Sequence, residues 1–379
     1  MKPSRLTAFL LIVTIALTGF VSAGQEKVPG SDWGTEYEND IVRGRVLEVS
    51  EIEDIEDDWF YIGRQFITVE ITSGPFRGQI EELENRLTGI PHRDLDVKKG
   101  AQVLLFLELD GGRLHSINLY DVARDSYLYI LLAGLIFIII LVTKTKGIKT
   151  LSALIFIGFV IVRGLLPLIL QGYNPLALTV LFTSLVTVVA TAIIGGVNAR
   201  SAAAMLGTAG GVLVAGVLTW VFGTVIRLTG LSEGTQTLYL ADLPLDIDVR
   251  GLLFAGIIIG ALGAIMEMAM SVAASVAEQK KANPLLTTRG LFQAGLHSSK
   301  ALLGSRINTL ILAYFGGILP LLLLFMANGM NYTSIINMDL IATEILRAIA
   351  GSLGLLAAVP LTAWSAAWLF SRLEAKRSS

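Results

Sequence analysis

Residues 252–276 read LLFAGIIIGALGAIMEMAMSVAASV, a continuous apolar stretch interrupted by one charge, Glu267. An α-helix rises 1.5 Å per residue, so about 20 such residues cross the hydrocarbon layer of a bilayer. The stretch is long enough to span and too long for a strand. Helical spacing places Gly256, Gly260, Gly263 and Ala264 on a small-residue surface that lets a neighbouring helix approach closely. Glu267, with Ser271, Ala274 and Ser275 at i+4, i+7 and i+8, shares one face lined by small and hydroxyl side chains.

Outward from this run the pattern recurs. Apolar stretches at 127–142, 151–170, 176–197, 202–226, 307–327 and 340–370 bring the expected transmembrane bundle to about seven helices. The last is long enough to be tilted, or broken at Pro360. Only 16% of the 379 residues are charged, against about 25% in an average soluble protein, and the mean hydropathy is +0.67.

The connecting segments fix an orientation. If the part before the first span is outside, the inside connections carry Lys144, Lys146 and Lys149, then Arg200, then Lys280, Lys281, Arg289, Lys300 and Arg306, then Arg372, Lys376 and Arg377. The outside connections hold acidic or neutral residues, apart from the flanking Arg227 and Arg250. That is the positive-inside pattern at every turn.

Residues 24–125 differ in kind, with 22 Asp/Glu against 11 Lys/Arg, where residues 126–379 have 9 against 16. Ile67, Val69 and Ile71 alternate with Thr68, Glu70 and Thr72, and Val103, Leu105, Leu107 and Leu109 form a second period-2 row. With 41–49, 79–81 and 114–119 this predicts about five strands, a small all-β domain of OB-like, closed or partly open barrel type. Upstream, Lys2 and Arg5 precede an apolar run from Leu6 to Val21, and Val21-Ser22-Ala23 has the small residues of a cleavage site. The expected organisation is a signal peptide or N-terminal anchor at 1–23, and an extracytoplasmic β-rich domain with its linker at 24–125. A helical bundle at 126–373 and a cytoplasmic tail at 374–379 follow.

The absence of cysteine excludes disulfides and thiol chemistry. His92, His115 and His297 are too scattered for a local metal motif, and the acidic run Glu51–Asp58 lacks calcium-loop spacing, so it reads as a solvated loop. No P-loop, Rossmann, zincin or nucleophile-elbow pattern occurs, so neither a cofactor nor an enzymatic activity is expected. No basic stripe suggests nucleic acid.

Glu267 is the leading candidate for a transport or coupling group, because an acidic residue mid-span costs roughly 2.5–3.5 kcal/mol and usually faces a cavity or the bundle interior. A hydrogen-bonded carboxyl that locks helix packing is the competing role. Ser271, Ser275 and Asn308 could complete a polar path, and Arg163 could pair with Glu267 or snorkel to the outer headgroups. Glu344 and Arg347, three residues apart, are a candidate structural ion pair. Gly207, Gly210, Gly211 and Gly216 suggest tight packing more than a broken helix. Residues 285–303 read as an amphipathic helix on the inner leaflet.

GALGAIMEMAMSVAAS at 260–275 resembles the YibE/F family of bacterial multipass membrane proteins, as do QGYNP at 171–175, GTAGG at 207–211 and INTLILAYFG at 307–316. The resemblance covers most of the chain and implies an integral membrane protein with an exported β domain, without an established reaction. Where the family usually has Asp after the Met, this chain has Glu267, which keeps the carboxylate and reaches one methylene further. The expected place is therefore a bacterial plasma (inner) membrane. Two functions fit: a secondary transporter or permease for a small solute or ion, or a membrane scaffold whose β domain binds an envelope protein. The bilayer is the expected partner in either case, and a homo-oligomer is compatible with both.

Overall fold

A computed structural model describes residues 38–55, 60–90, 94–231 and 247–378. The signal-like segment, the linker, residues 56–59 of the acidic run and most of the acidic loop before residue 247 lie outside these. The described residues fall into two units, one within Lys27–Val142 and one within Thr143–Ser379.

The first unit is an antiparallel sheet of β1 (Glu38–Val49), β2 (Glu53–Asp54), β3 (Gly63–Ile71), β4 (Ile80–Leu87), β5 (Gln102–Asp110) and β6 (Arg113–Val122). The long β1 pairs through its first part with β5 and through its last part with β3. Where the two ladders overlap stands Gly44; a Cβ there would meet the Leu105 side chain and lie 3.4 Å from the Glu70 carbonyl. A bulge between Val46 and Glu48 adds to the bend, and such bulges sharpen local twist. The sheet therefore curls into a half-barrel whose outer strands, β4 and β6, come into contact without pairing.

Its core is the inward set expected from the period-2 rows: Ile67, Val69 and Ile71 with Val103, Leu105 and Leu107, joined by Val42, Val46, Leu83 and Val97. The β5–β6 hairpin turns through Gly111 and Gly112, both at positive φ, the backbone requirement of a tight two-residue turn. Part of the acidic run is not loop but β2, where Glu53 ion-pairs with Arg64 at 2.9 Å and the backbone gains ladder partners on β3. After β6, α1 (Asp125–Thr143) begins with Asp125 ion-paired to Arg43, and none of its residues is buried.

The second unit holds α2 (Thr145–Leu170), α3 (Pro175–Gly195), α4 (Ala199–Val225), α5 (Val249–Ala282), α6 (Thr288–Gly317), α7 (Leu319–Ala327), α8 (Tyr332–Ile336) and α9 (Asp339–Ser378). With α1, six helices are long and apolar enough to span, and the bent α6–α7 pair supplies a seventh. Side chains of Asn174, Asn198, Asp248 and Thr287 accept from backbone N–H groups at the starts of α3, α4, α5 and α6, satisfying donors the helix leaves open.

Helix α5 is the central post. Ile258, Ala261, Leu262 and Ile265 pack with Val212 and Ala215 of α4 and with Leu355, Ala358 and Val359 of α9. The α4 glycines do thin that helix for packing: a Cβ on Gly211 would lie 2.7 Å from the Gly354 carbonyl, and one on Gly354 would lie 2.8 Å from the Gly211 carbonyl. The two backbones touch, and α4 runs unbroken through its glycines.

Three expectations change. Residues 285–303 are not a separate surface helix; from Thr288 onward they are the first part of α6, with Leu291, Gly295 and Ser299 buried, and Gly295 set against Val276 and Ala363. The break falls instead after Gly317, where α6 and α7 meet at 54°. Pro320 explains it, since its ring clashes with the carbonyl four residues earlier and it offers no N–H. Pro360 breaks nothing: α9 continues through it, held between α4 and α5.

Candidate functional site

The spans α5 and α6 run antiparallel and meet through three rungs, two polar and one a tyrosine packed on a glycine. Ser275 Oγ is 2.7 Å from Ser298 Oγ, Glu267 is ion-paired with Arg306, and a Cβ at Gly260 would come 3.3 Å from Tyr314 Oη. Each step covers seven or eight residues on either helix, about two turns and roughly 11 Å. The rungs thus keep one register along the two helices.

The middle rung carries the chemistry. Glu267 Oε2 accepts from Arg306 Nη1, with the Arg306 side chain 28% exposed and that of Glu267 60% exposed. Ser271 does not touch the carboxylate; its Oγ donates to the Glu267 backbone carbonyl at 2.9 Å, the usual back-bond of a helical serine. Ser275 bonds across to α6 one rung below. Asn308 is exposed on α6 and makes no side-chain hydrogen bond among the described residues. Arg163 lies half-buried on a π turn of α2, Ile161–Leu165, and Glu267's ion-pair partner is Arg306 instead.

A second polar cluster faces α6 from α9. Glu344 and Arg347 pair at 2.6 Å, with side chains only 12% and 19% exposed. The Arg347 guanidinium stands 5.9 Å from the Tyr314 ring centroid, a cation–π distance. Among the described residues, Tyr314 Oη is buried without a hydrogen-bond partner, as is Ser352 Oγ. Both residues line an otherwise apolar cavity of about 690 Å³ between α6, α7, α8 and α9, with Glu344 in its wall. Tyr314 therefore touches both groups, resting on Gly260 of α5 and facing Arg347 of α9.

Three features escaped the reading of the sequence. Arg306 counted there only as an inside loop charge, and nothing local shows its ion pair. Tyr314 had no signal beyond its place in a span. Thr179, Thr183, Thr187 and Thr191 recur every fourth residue along α3, all buried, and that period was visible. Thr183 and Thr187 border a cavity of about 340 Å³ between α3 and α4. Thr183 bonds back to the Thr179 carbonyl at 2.6 Å, whereas the hydroxyls of Thr179 and Thr191 have no partner.

The small face of α5 also departs from expectation. Among the described residues, no atom lies within 4 Å of where a Cβ would sit on Gly256 or Gly263. Among the described residues no cluster of three metal-ligating side chains occurs.

A half-barrel followed by about seven apolar helices, with two ion pairs that involve three of the spans, defines a multipass membrane protein. The chain belongs to the YibE/F-like protein family, which matches residues 131–372, from within α1 to α9 and none of the strands. No curated protein and no solved structure matches it.

Proposed function

We propose that the bundle is a secondary transporter or permease for a small solute or ion, with Glu267 as the coupling group. The observation that carries this reading is an ion pair placed mid-helix on α5 and α6 whose acidic member is not closed off by packing. A carboxylate held only by one guanidinium can release it by taking up a proton or a cation, and the two helices then lose their central rung. Such a change gives α5 and α6 two arrangements separated by the state of one carboxylate, which is what coupling requires. The unpartnered Tyr314 hydroxyl one rung away, toward the expected outer face, would continue the polar path. In this reading the β unit is extracytoplasmic, the C-terminus is cytoplasmic, and the membrane is the bacterial plasma membrane, by the positive-inside pattern. Pairing Arg306 with Glu267 removes it from the loop count, and Lys280, Lys281, Arg289 and Lys300 still carry the bias. The protein has no enzymatic role in this reading.

The test is uptake or growth at matched expression for Glu267→Gln, Glu267→Asp and Glu267→Leu. A coupling role predicts loss with Gln and Leu and partial function with Asp; an active Glu267→Gln protein refutes it.

One observation favours the scaffold alternative. The open seam between β4 and β6 holds a polar cleft of about 410 Å³ bordered by Gln79, Glu81, Arg113 and His115. A protein segment could dock there, as partners do along open sheet edges. Removal of the β unit should then abolish function while leaving any transport by the bundle unaffected, the reverse of the Glu267 result.

A further inference from the structure

The bend at Pro320 has a consequence for packing. Because α7 leaves α6 at 54°, a space opens between the bent pair and α9, with α8 in part of its wall. This is the cavity of about 690 Å³, and it follows α9 from Ile341 to Leu356, roughly 22 Å of helix. On α9 its wall recurs at helical steps, through Ile345, Ala348, Ser352 and Leu356. The lining is aliphatic and aromatic but for a few polar groups, the usual make-up of a small-molecule site.

Those polar groups select what fits. Ser352 is only 8% exposed, and among the described residues its hydroxyl has no hydrogen-bond partner. Ser365 and Ser371 on the same helix bond back to the carbonyl four residues earlier; Ser352 does not. Tyr314 presents a second buried hydroxyl in the same condition. Lipid tails could fill the space but would leave both hydroxyls unsatisfied, a costly state inside hydrocarbon. Glu344 and Arg347 neutralise each other, so the wall offers no net charge to hold an ion. We propose that this cavity binds a neutral amphiphile, an apolar chain bearing a hydroxyl that pairs with Ser352 and Tyr314. A hydroxyl both donates and accepts, as each of these side chains does, whereas the ester of an ordinary bilayer lipid only accepts. The site goes beyond the transport reading and does not rest on it.

The test uses the full-length protein in membranes and a long-chain alcohol with a photoreactive diazirine in its chain. Illumination should label the α6 and α9 peptides that border the cavity, saturably. Unlabelled hexadecanol should compete; hexadecane and methyl palmitate should compete far less. Equal competition by hexadecane overturns the proposal, because apolar filling would then suffice, and equal competition by methyl palmitate overturns the choice of a hydroxyl. Absence of saturable labelling also overturns it. Ser352→Ala and Tyr314→Phe each remove one hydroxyl and little volume, so each should weaken saturable labelling roughly three- to tenfold, the worth of one hydrogen bond. Unchanged labelling in both folded variants refutes the assigned contacts. Ala348→Phe adds bulk inside the cavity and should abolish labelling while the protein still elutes as a folded peak. Labelling that survives in that folded variant places the probe elsewhere and refutes the site. No arm reads uptake, so failure here leaves the transport proposal standing, and an active Glu267→Gln protein leaves this site standing.

Discussion

Neutralising Glu267 and Arg306 singly and together separates an ion pair that couples from two residues that are merely neighbours. A lone charge near the centre of a span costs roughly 2.5–3.5 kcal/mol. Arg306 is the more enclosed member, with a side chain 28% exposed, so Glu267→Gln should expose nearly that whole cost. Arg306→Gln strands a carboxylate at the same depth, where a carboxyl, unlike a guanidinium, can be neutralised by protonation, so its cost should be the smaller. The double variant leaves no charge, and two amides facing each other can still make an interhelical hydrogen bond worth about 0.6 kcal/mol. It should therefore be more stable than Glu267→Gln alone, with a coupling energy of about 1–3 kcal/mol.

The assay is thermal unfolding in detergent, followed by the loss of the folded peak on size exclusion, with uptake measured beside it. For some 240 residues of bundle 1 kcal/mol corresponds to about 2–4 °C, so Glu267→Gln should fall by about 5–14 °C and the double variant by clearly less. Uptake should be absent from both, because the titratable carboxylate is gone from both. A double variant damaged by the sum of the two single losses would show that the residues do not interact, and the coupling mechanism would lose its physical basis. A stable, active double variant would reassign the pair to packing.

Reporters active only outside the cytoplasm should work when fused after Asp125 or Asn331 and fail after Lys149, Arg200 or Lys281; activity after Lys281 would invert α5 and α6. Residues 36–122 expressed alone should be soluble and strand-rich by circular dichroism, and Leu105→Ala, which empties a fully buried site, should cost about 2–5 kcal/mol. The β unit should also lose stability in acid. Burial works to raise the Asp94 carboxyl, but bonds from the Thr88 backbone and hydroxyl and from the Gly89 and Ile90 backbones outweigh it and hold it below its ordinary value. The Arg124 side-chain bond, with the Val122 backbone, does the same for Asp121. A carboxyl depressed in the folded state stabilises above its unfolded pKa, near 3.9, and loses that contribution as pH falls through the folded value. Melting temperature should thus fall below about pH 4, and Asp94→Ala should flatten the drop.

Local rules made the secondary structure readable. Each span was a long apolar run with at most two charges, and the inward rows of the half-barrel were strict alternations, so pattern set the elements and the buried face of the sheet. The N-caps Asn174, Asn198, Asp248 and Thr287, which the reading of the sequence did not use, are equally local and mark where four helices begin. What period could not show is where a helix stops when nothing apolar ends. Residues 285–317 change from mixed to apolar composition partway along, and that change suggested two elements, one on the membrane and one in it. The backbone instead follows the proline, because Pro320 removes a hydrogen bond and adds a clash, whereas a change of polarity alters neither.

The site was half legible for a related reason. Glu267 stood out because its own neighbours make it costly, a property of sequence alone. Its partner did not, because Arg306 sits among other cations where a loop charge is ordinary, and only the antiparallel register of α5 and α6 brings it to the carboxylate. The same register places Ser298 at Ser275 and Tyr314 at Gly260. Once one rung is known, the other two follow from counting equal steps along both helices. A single long-range pairing was therefore the missing quantity. The α5 glycines show its complement: G-x-x-x-G spacing announces that something packs closely on α5, but spacing carries no information on which helix supplies it. In this structure α6 takes the flank at Gly260, and among the described residues nothing lies within 4 Å of a Cβ at Gly256 or Gly263 on either side of it. That division is a geometric fact no periodicity encodes.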